Sequence, residues 1–284
     1  MDSNAPSEQN IAPEAEIGLA RLNIWTIAAI AVVAYSLANV LHEGLGHGGV
    51  CLLVGGRPRT LNAIFFTYDH AQVSSTGARV IAAAGGVVNL MTGAAALGAL
   101  KITRLRNPAL RYFLWLFAAV SVSMAFGYLL FSGVLGMGDW IPVFDGLASI
   151  WVIRAGLAIV GGILYFVVAP RLLSAACVEF FDRGTNAAPQ IKRLMRLPYL
   201  VGGVLFVLAG LPGPEGVKVM LTSAIAASFG GASLLAWHSF APRESLAPTS
   251  SGSDFALRFS IPWIAAAVVT VILFVGILGR GIGY

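Results

Sequence analysis

The sequence predicts an all-α protein, a polytopic transmembrane bundle of six to seven helices with a short β-hairpin after the first. Three observations carry that expectation. Of 284 residues, 57% are hydrophobic and only 11% charged, less than half the share of about 25% found in water-soluble domains. Apolar runs of about 20 residues recur along the chain, the length a helix needs to cross a hydrocarbon core of about 30 Å. The 18 Lys and Arg fall in short clusters between those runs, a pattern that suits a lipid bilayer and not nucleic acid as partner. The two cysteines, Cys51 and Cys177, lie in apolar sequence and are too few for a disulfide framework or a cysteine-based metal site.

Residues 1–22 are polar and net acidic, lack the basic start and short apolar core of a secretory signal, and are expected to form a disordered tail. The stretch from Asn23 to about Val54 exceeds one crossing and is read as the first membrane helix with an extension at its far end. Residues 55–77 combine Gly-Gly and Arg-Pro with the β-formers Ile64, Phe65, Phe66 and Thr67, which predicts a hairpin or a re-entrant segment. Further apolar runs cover 78–100, 112–136, 147–170, 197–212, 217–239 and 260–279. The run at 197–212 is short and ends in Leu211-Pro212-Gly213-Pro214, so the count is six or seven. Residues 23–170 form the expected core and 171–284 add helices without an assigned role. Internal repeats of the kind found in many transporters are not evident.

Lys101, Arg104, Arg106 and Arg111 crowd the loop after the second helix, and Arg171, Arg183, Lys192, Arg193 and Arg196 the loop after the fourth. Basic loops favour the cytoplasm, so the expected protein is a multi-pass protein of the cell (inner) membrane with a cytoplasmic amino terminus. Parity then places the far end of the first helix, the hairpin and the Asp139–Asp145 loop together on the opposite side.

The most informative stretch is Val40-Leu41-His42-Glu43-Gly44-Leu45-Gly46-His47-Gly48-Gly49. In the motif H-E-x-x-H two histidines one helical turn apart bind a metal from one face, and the glutamate activates water. Here the spacing is H-E-x-x-x-H. On an α-helix five residues set the rings roughly 140° apart, whereas a π-bulge brings them within about 50°, and such bulges concentrate at functional sites. With four histidines and seven glutamates in the chain, a chance match is expected roughly 0.001 times. The bland alternative is a pair of interfacial histidines at a helix end. Two acids compete for a third ligand position: Asp139, flanked by Gly136 and Gly138, and Asp145. Asn89 lies in a helix rich in Gly and Ala, where an interhelical hydrogen bond is its ordinary role. Asp69-His70 is read as a solvated loop pair, His238 as an interfacial anchor after Trp237, and Cys51 as a buried inert thiol.

These residues resemble the site-2 protease class of intramembrane zinc metalloproteases. That family carries H-E-x-x-H on its first core helix, A-G-P-x-x-N on the next and a late P-x-L-D-G whose Asp completes the zinc site. The counterparts here are His42-Glu43 with His47, Ala84-Gly85-Gly86-Val87-Val88-Asn89, and Pro142-Val143-Phe144-Asp145-Gly146. Gly86 replaces the Pro, Phe144 the Leu, and one residue is inserted between the histidines. The resemblance covers about residues 24–170. It implies one Zn2+ ion held by His42, His47 and either Asp139 or Asp145, with Glu43 as general base and Asn89 on the substrate strand or oxyanion. The implied substrate is a transmembrane protein cut at a peptide bond. Two other classes remain open: a transporter or channel with a His/Glu/Asp path, and an inactive relative that only binds membrane proteins.

Overall fold

In a computed structural model the chain is described over residues 21–102, 105–177, 180, 190, 192–213, 216–237 and 255–284. The expected tail, apart from its last two residues, and His238 lie outside the described residues.

Among the described residues six helices are long and apolar enough to cross a membrane, and the chain is an all-α helical bundle with little strand, consistent with a multi-pass membrane protein. α1 (Ile24–Leu53) starts where the Asn23 side chain accepts a hydrogen bond from the Thr26 backbone N–H at 3.0 Å, an ordinary N-cap. A small sheet follows, β1 (Pro58–Leu61) paired antiparallel with β2 (Phe66–Tyr68). α2 (Ser75–Ile102) and α3 (Pro108–Leu135) come next. Asn107 caps α3 by accepting from the Ala109 and Leu110 N–H groups, with Pro108 at the first turn where its missing N–H costs nothing. α3 is the bundle's axis: Trp115 through Gly127 are all buried, against α1, α2 and the later α5.

α3 ends at Gly136, left-handed with φ 70°. The chain turns through Gly138 (φ 94°) into the short α4 (Trp140–Phe144). α5 (Ile150–Ala176) and α6 (Lys192–Gly210) cross next. α7 (Val217–Ile225) continues as a π-helix over Ala226–Gly230 and turns before α8 (Ser233–Ala236). α9 (Ile261–Arg280) is the last long helix. Beyond it β3 (Ile282–Gly283) pairs antiparallel with β1, giving the sheet order β2-β1-β3.

Two expectations change. The short run at 197–212 is a full helix because it starts upstream at Lys192, whereas the run at 217–239 is broken at Gly231–Ala232. Backbone groups freed inside a membrane protein need internal partners. The Tyr165 hydroxyl of α5 provides them: it lies 3.1 Å from the Gly230 carbonyl oxygen and 2.8 Å from that of Gly231, and it accepts from the Leu234 N–H at 3.3 Å. The expected hairpin is present, but as part of a three-stranded sheet whose third strand comes from residues 282–283.

Candidate metal centre

Within α1 the backbone is π-helical from Leu41 to Gly49, the distortion that the H-E-x-x-x-H spacing needs. It turns both imidazoles to one side. His42 and His47 are buried, their Nε2 atoms lie 3.2 Å apart, and their rings meet edge to face with centroids 4.8 Å apart.

The crossing of α1 with α2 is drawn in by glycine. A Cβ on Gly46 would come within 2.7 Å of the Gly85 Cα, and one on Gly85 within 2.6 Å of the Nε2 atoms of both histidines. Gly85 is therefore the floor of the group, and the space a methyl would fill is open to the two ring nitrogens.

Asp139 closes the third side. Its Oδ2 is 3.1 Å from His42 Nε2 and 3.5 Å from His47 Nε2. The two positive-φ glycines bend the chain back to the bundle, and the Trp140 ring lies over Gly86 of α2, where a Cβ would meet it at 3.3 Å. Arg154 donates to the Gly133 and Val134 carbonyls at 3.1 and 2.7 Å, capping α3 just before this turn. Burial alone would raise the Asp139 carboxyl, but the His47 and His42 rings, when protonated, outweigh it and hold the group below the ordinary carboxylate range.

His42, His47 and Asp139 form a group that could hold a metal ion. Three donors on one tetrahedral ion with bonds of about 2.0–2.1 Å stand about 3.3–3.4 Å from one another, close to the 3.1, 3.2 and 3.5 Å seen here. Neighbouring bonds fit as well. His47 Nδ1 is 2.7 Å from the Ile81 carbonyl oxygen, a bond that an Nδ1–H makes, which leaves Nε2 as the nitrogen turned to the group. His42 Nδ1 faces the Asn89 side-chain amide at 3.1 Å, and Asn89 Oδ1 is a buried acceptor without a partner. With the amide turned over, Oδ1 accepts from Nδ1–H and leaves Nε2 as the acceptor turned to the group, the amide nitrogen taking the place of Oδ1. Three acceptors then converge on one point, an arrangement that a shared cation satisfies.

The group opens on a cavity of about 640 Å³ lined by Glu43, His47, Asp139, Tyr128 of α3, β2, the first turns of α2, and Thr222 and Ser223 of α7. Asn62 holds the loop before β2 by accepting from the Ile64 and Phe65 N–H groups at 2.8 and 2.7 Å. Asn39 of α1 donates to the Ala63 carbonyl.

Of the two acids left open by the sequence, the structure brings Asp139 and not Asp145 to the histidines. Asp145 is exposed, follows α4 at the cavity rim, and its backbone carbonyl accepts from Arg79 at 2.7 Å. Five residues of helical turn separate the two carboxyls, so the Pro142–Gly146 segment does not bring its acid to the histidines. Asn89, expected on the substrate or oxyanion, sits against His42 Nδ1 instead. Asp69 pairs with Arg59 at 3.5 Å, and His70 is exposed at the cavity rim. Cys51 is a buried free thiol. Sequence reasoning missed the Ile81 carbonyl, which leaves no signal in a side-chain pattern. It also missed Tyr128, whose signal was a phenol inside an apolar run.

No protein-family model matches the chain, and no curated protein or solved structure is significantly similar to it.

Proposed function

We propose that the protein is a zinc-dependent endopeptidase working within the membrane, resembling site-2 proteases in its site. One observation carries the reading: two imidazole nitrogens and a carboxylate oxygen converge within 3.5 Å of one another, beside Glu43, in a cavity among membrane-spanning helices.

His42, His47 and Asp139 are the residues that would hold the ion. Zinc, when bound, supplies Lewis acidity and lowers the pKa of water toward about 7. Glu43, next to His42 and lining the cavity, accepts the attacking water's proton and returns it to the leaving amine nitrogen. Asn89 and the Ile81 carbonyl hold the two rings in the tautomer that leaves each Nε2 free. β2 is an edge strand whose Phe66, Thr67 and Tyr68 line the cavity, so an unwound substrate segment can add to it by backbone hydrogen bonds.

The test is metal analysis of the purified protein together with cleavage of a fluorescently labelled casein in detergent micelles. Wild type is expected to carry one zinc and to cleave, Glu43→Gln to keep zinc without cleaving, and His42→Ala to lose both. Cleavage that persists in Glu43→Gln, or wild type without stoichiometric metal, would overturn the reading. Metal bound without cleavage points to the inactive relative, and ion flux in liposomes that survives Glu43→Gln points to a transporter.

A further inference from the structure

Water addition to an amide places negative charge on the carbonyl oxygen, and a fixed donor aimed at that oxygen is commonly worth about 10²–10³ in kcat. The Asn89 amide faces His42 Nδ1 and is fully buried, so it does not reach the cavity. Another donor does. Tyr128 lays its ring against that of His42, centroids 5.2 Å apart and planes tilted by 38°, and lines the cavity with Glu43, His47 and Asp139.

Its hydroxyl has no hydrogen-bond partner among the described residues, yet it is not among the sealed-off polar atoms, unlike the Tyr35 hydroxyl. The phenols of Tyr112 and Tyr165 are anchored, to the Leu194 carbonyl at 2.7 Å and the Gly231 carbonyl at 2.8 Å. Buried tyrosines ordinarily find such partners. Other donors line the cavity, Thr67, Ser75, Arg79 and Thr222 among them, but Tyr128 is the one with a ring contact to the metal group among the described residues.

The geometry points to Tyr128 as a catalytic residue that donates its O–H to the scissile carbonyl oxygen as that carbon turns tetrahedral. This rests on the peptidase reading. In the reaction an oxygen–carbon bond forms from water, the carbon–nitrogen bond breaks, and the water proton travels through Glu43 to the amine. Tyr128 keeps its own proton throughout.

Tyr128→Phe keeps the ring and removes the hydroxyl. Zinc-loaded wild type and variant are compared for zinc content, for calorimetric affinity toward a phosphinic peptide whose tetrahedral oxygens copy the oxyanion, and for casein cleavage. The variant is expected to hold zinc like wild type, to bind the phosphinic peptide at least about tenfold more weakly, and to lose about 10²–10³-fold in kcat with little change in KM. Equal affinity and equal kcat overturn the proposal and leave the peptidase reading standing. A fallen zinc content also overturns it, because Tyr128 then only supports His42. Wild type that holds zinc but neither binds the phosphinic peptide nor cleaves casein overturns the peptidase reading, and the proposal with it.

Discussion

At His47 the contact between Nδ1 and the Ile81 carbonyl, 2.7 Å long, does what a side-chain partner does elsewhere: it fixes the tautomer and the ring. His42 depends on Asn89 for the same service. Asn89→Ala is therefore expected to weaken metal affinity by about 10–100-fold without unfolding the protein, as measured by competition with a chelator. The acids separate more sharply. Asp139→Asn removes a ligand, so its metal stoichiometry should fall well below one, while Asp145→Asn, altered at an exposed rim residue, should match wild type in metal analysis. Part of this was legible in the sequence. Histidine and glutamate are so scarce that H-E-x-x-x-H stood out, and the spacing itself called for a π-helix. The choice between Asp139 and Asp145 was not legible, because it depends on two left-handed glycine turns and on Trp140 seating over Gly86. Those are tertiary facts with no linear pattern.

Among the elements, the π-helical stretch of α1 and the break after α7 show two uses of irregular helix. The first turns two imidazoles to one side. The second divides an apolar run that composition alone reads as a crossing, and the Gly231 carbonyl and Leu234 N–H freed there bond the Tyr165 phenol of α5. Tyr165→Phe leaves those groups without their partner, a loss of about 1–3 kcal/mol, read as a lower unfolding midpoint in detergent with zinc content unchanged. Hydropathy could not foresee this break, since Ala226–Ala236 stays apolar on both sides of it. The hairpin was legible from its turn residues and β-formers. Its third strand was not, because residues 282–283 lie more than 200 positions from their partners.

For the molecule as a whole, the alternation of apolar runs and basic loops was enough to set the fold class, and six long helices follow it. The same loops set the expected orientation. With Cys51 and Cys177 replaced by Ala, a membrane-impermeant maleimide applied to intact cells should label Leu147→Cys, at an exposed position after α4. It should spare Arg106→Cys until the membrane is opened, and the reverse pattern would invert the bundle. The hairpin and the end of the last long helix also meet there: the Ala63 N–H donates to the Leu278 carbonyl and the Tyr284 N–H to that of Arg59, at 2.9 and 3.0 Å. A purification tag fused after Tyr284 would pull on the same small sheet that borders the cavity beside His47 and Asp139. Preparations handled by that end would risk reporting a sluggish protein for reasons of their own making, so affinity handles belong ahead of residue 21.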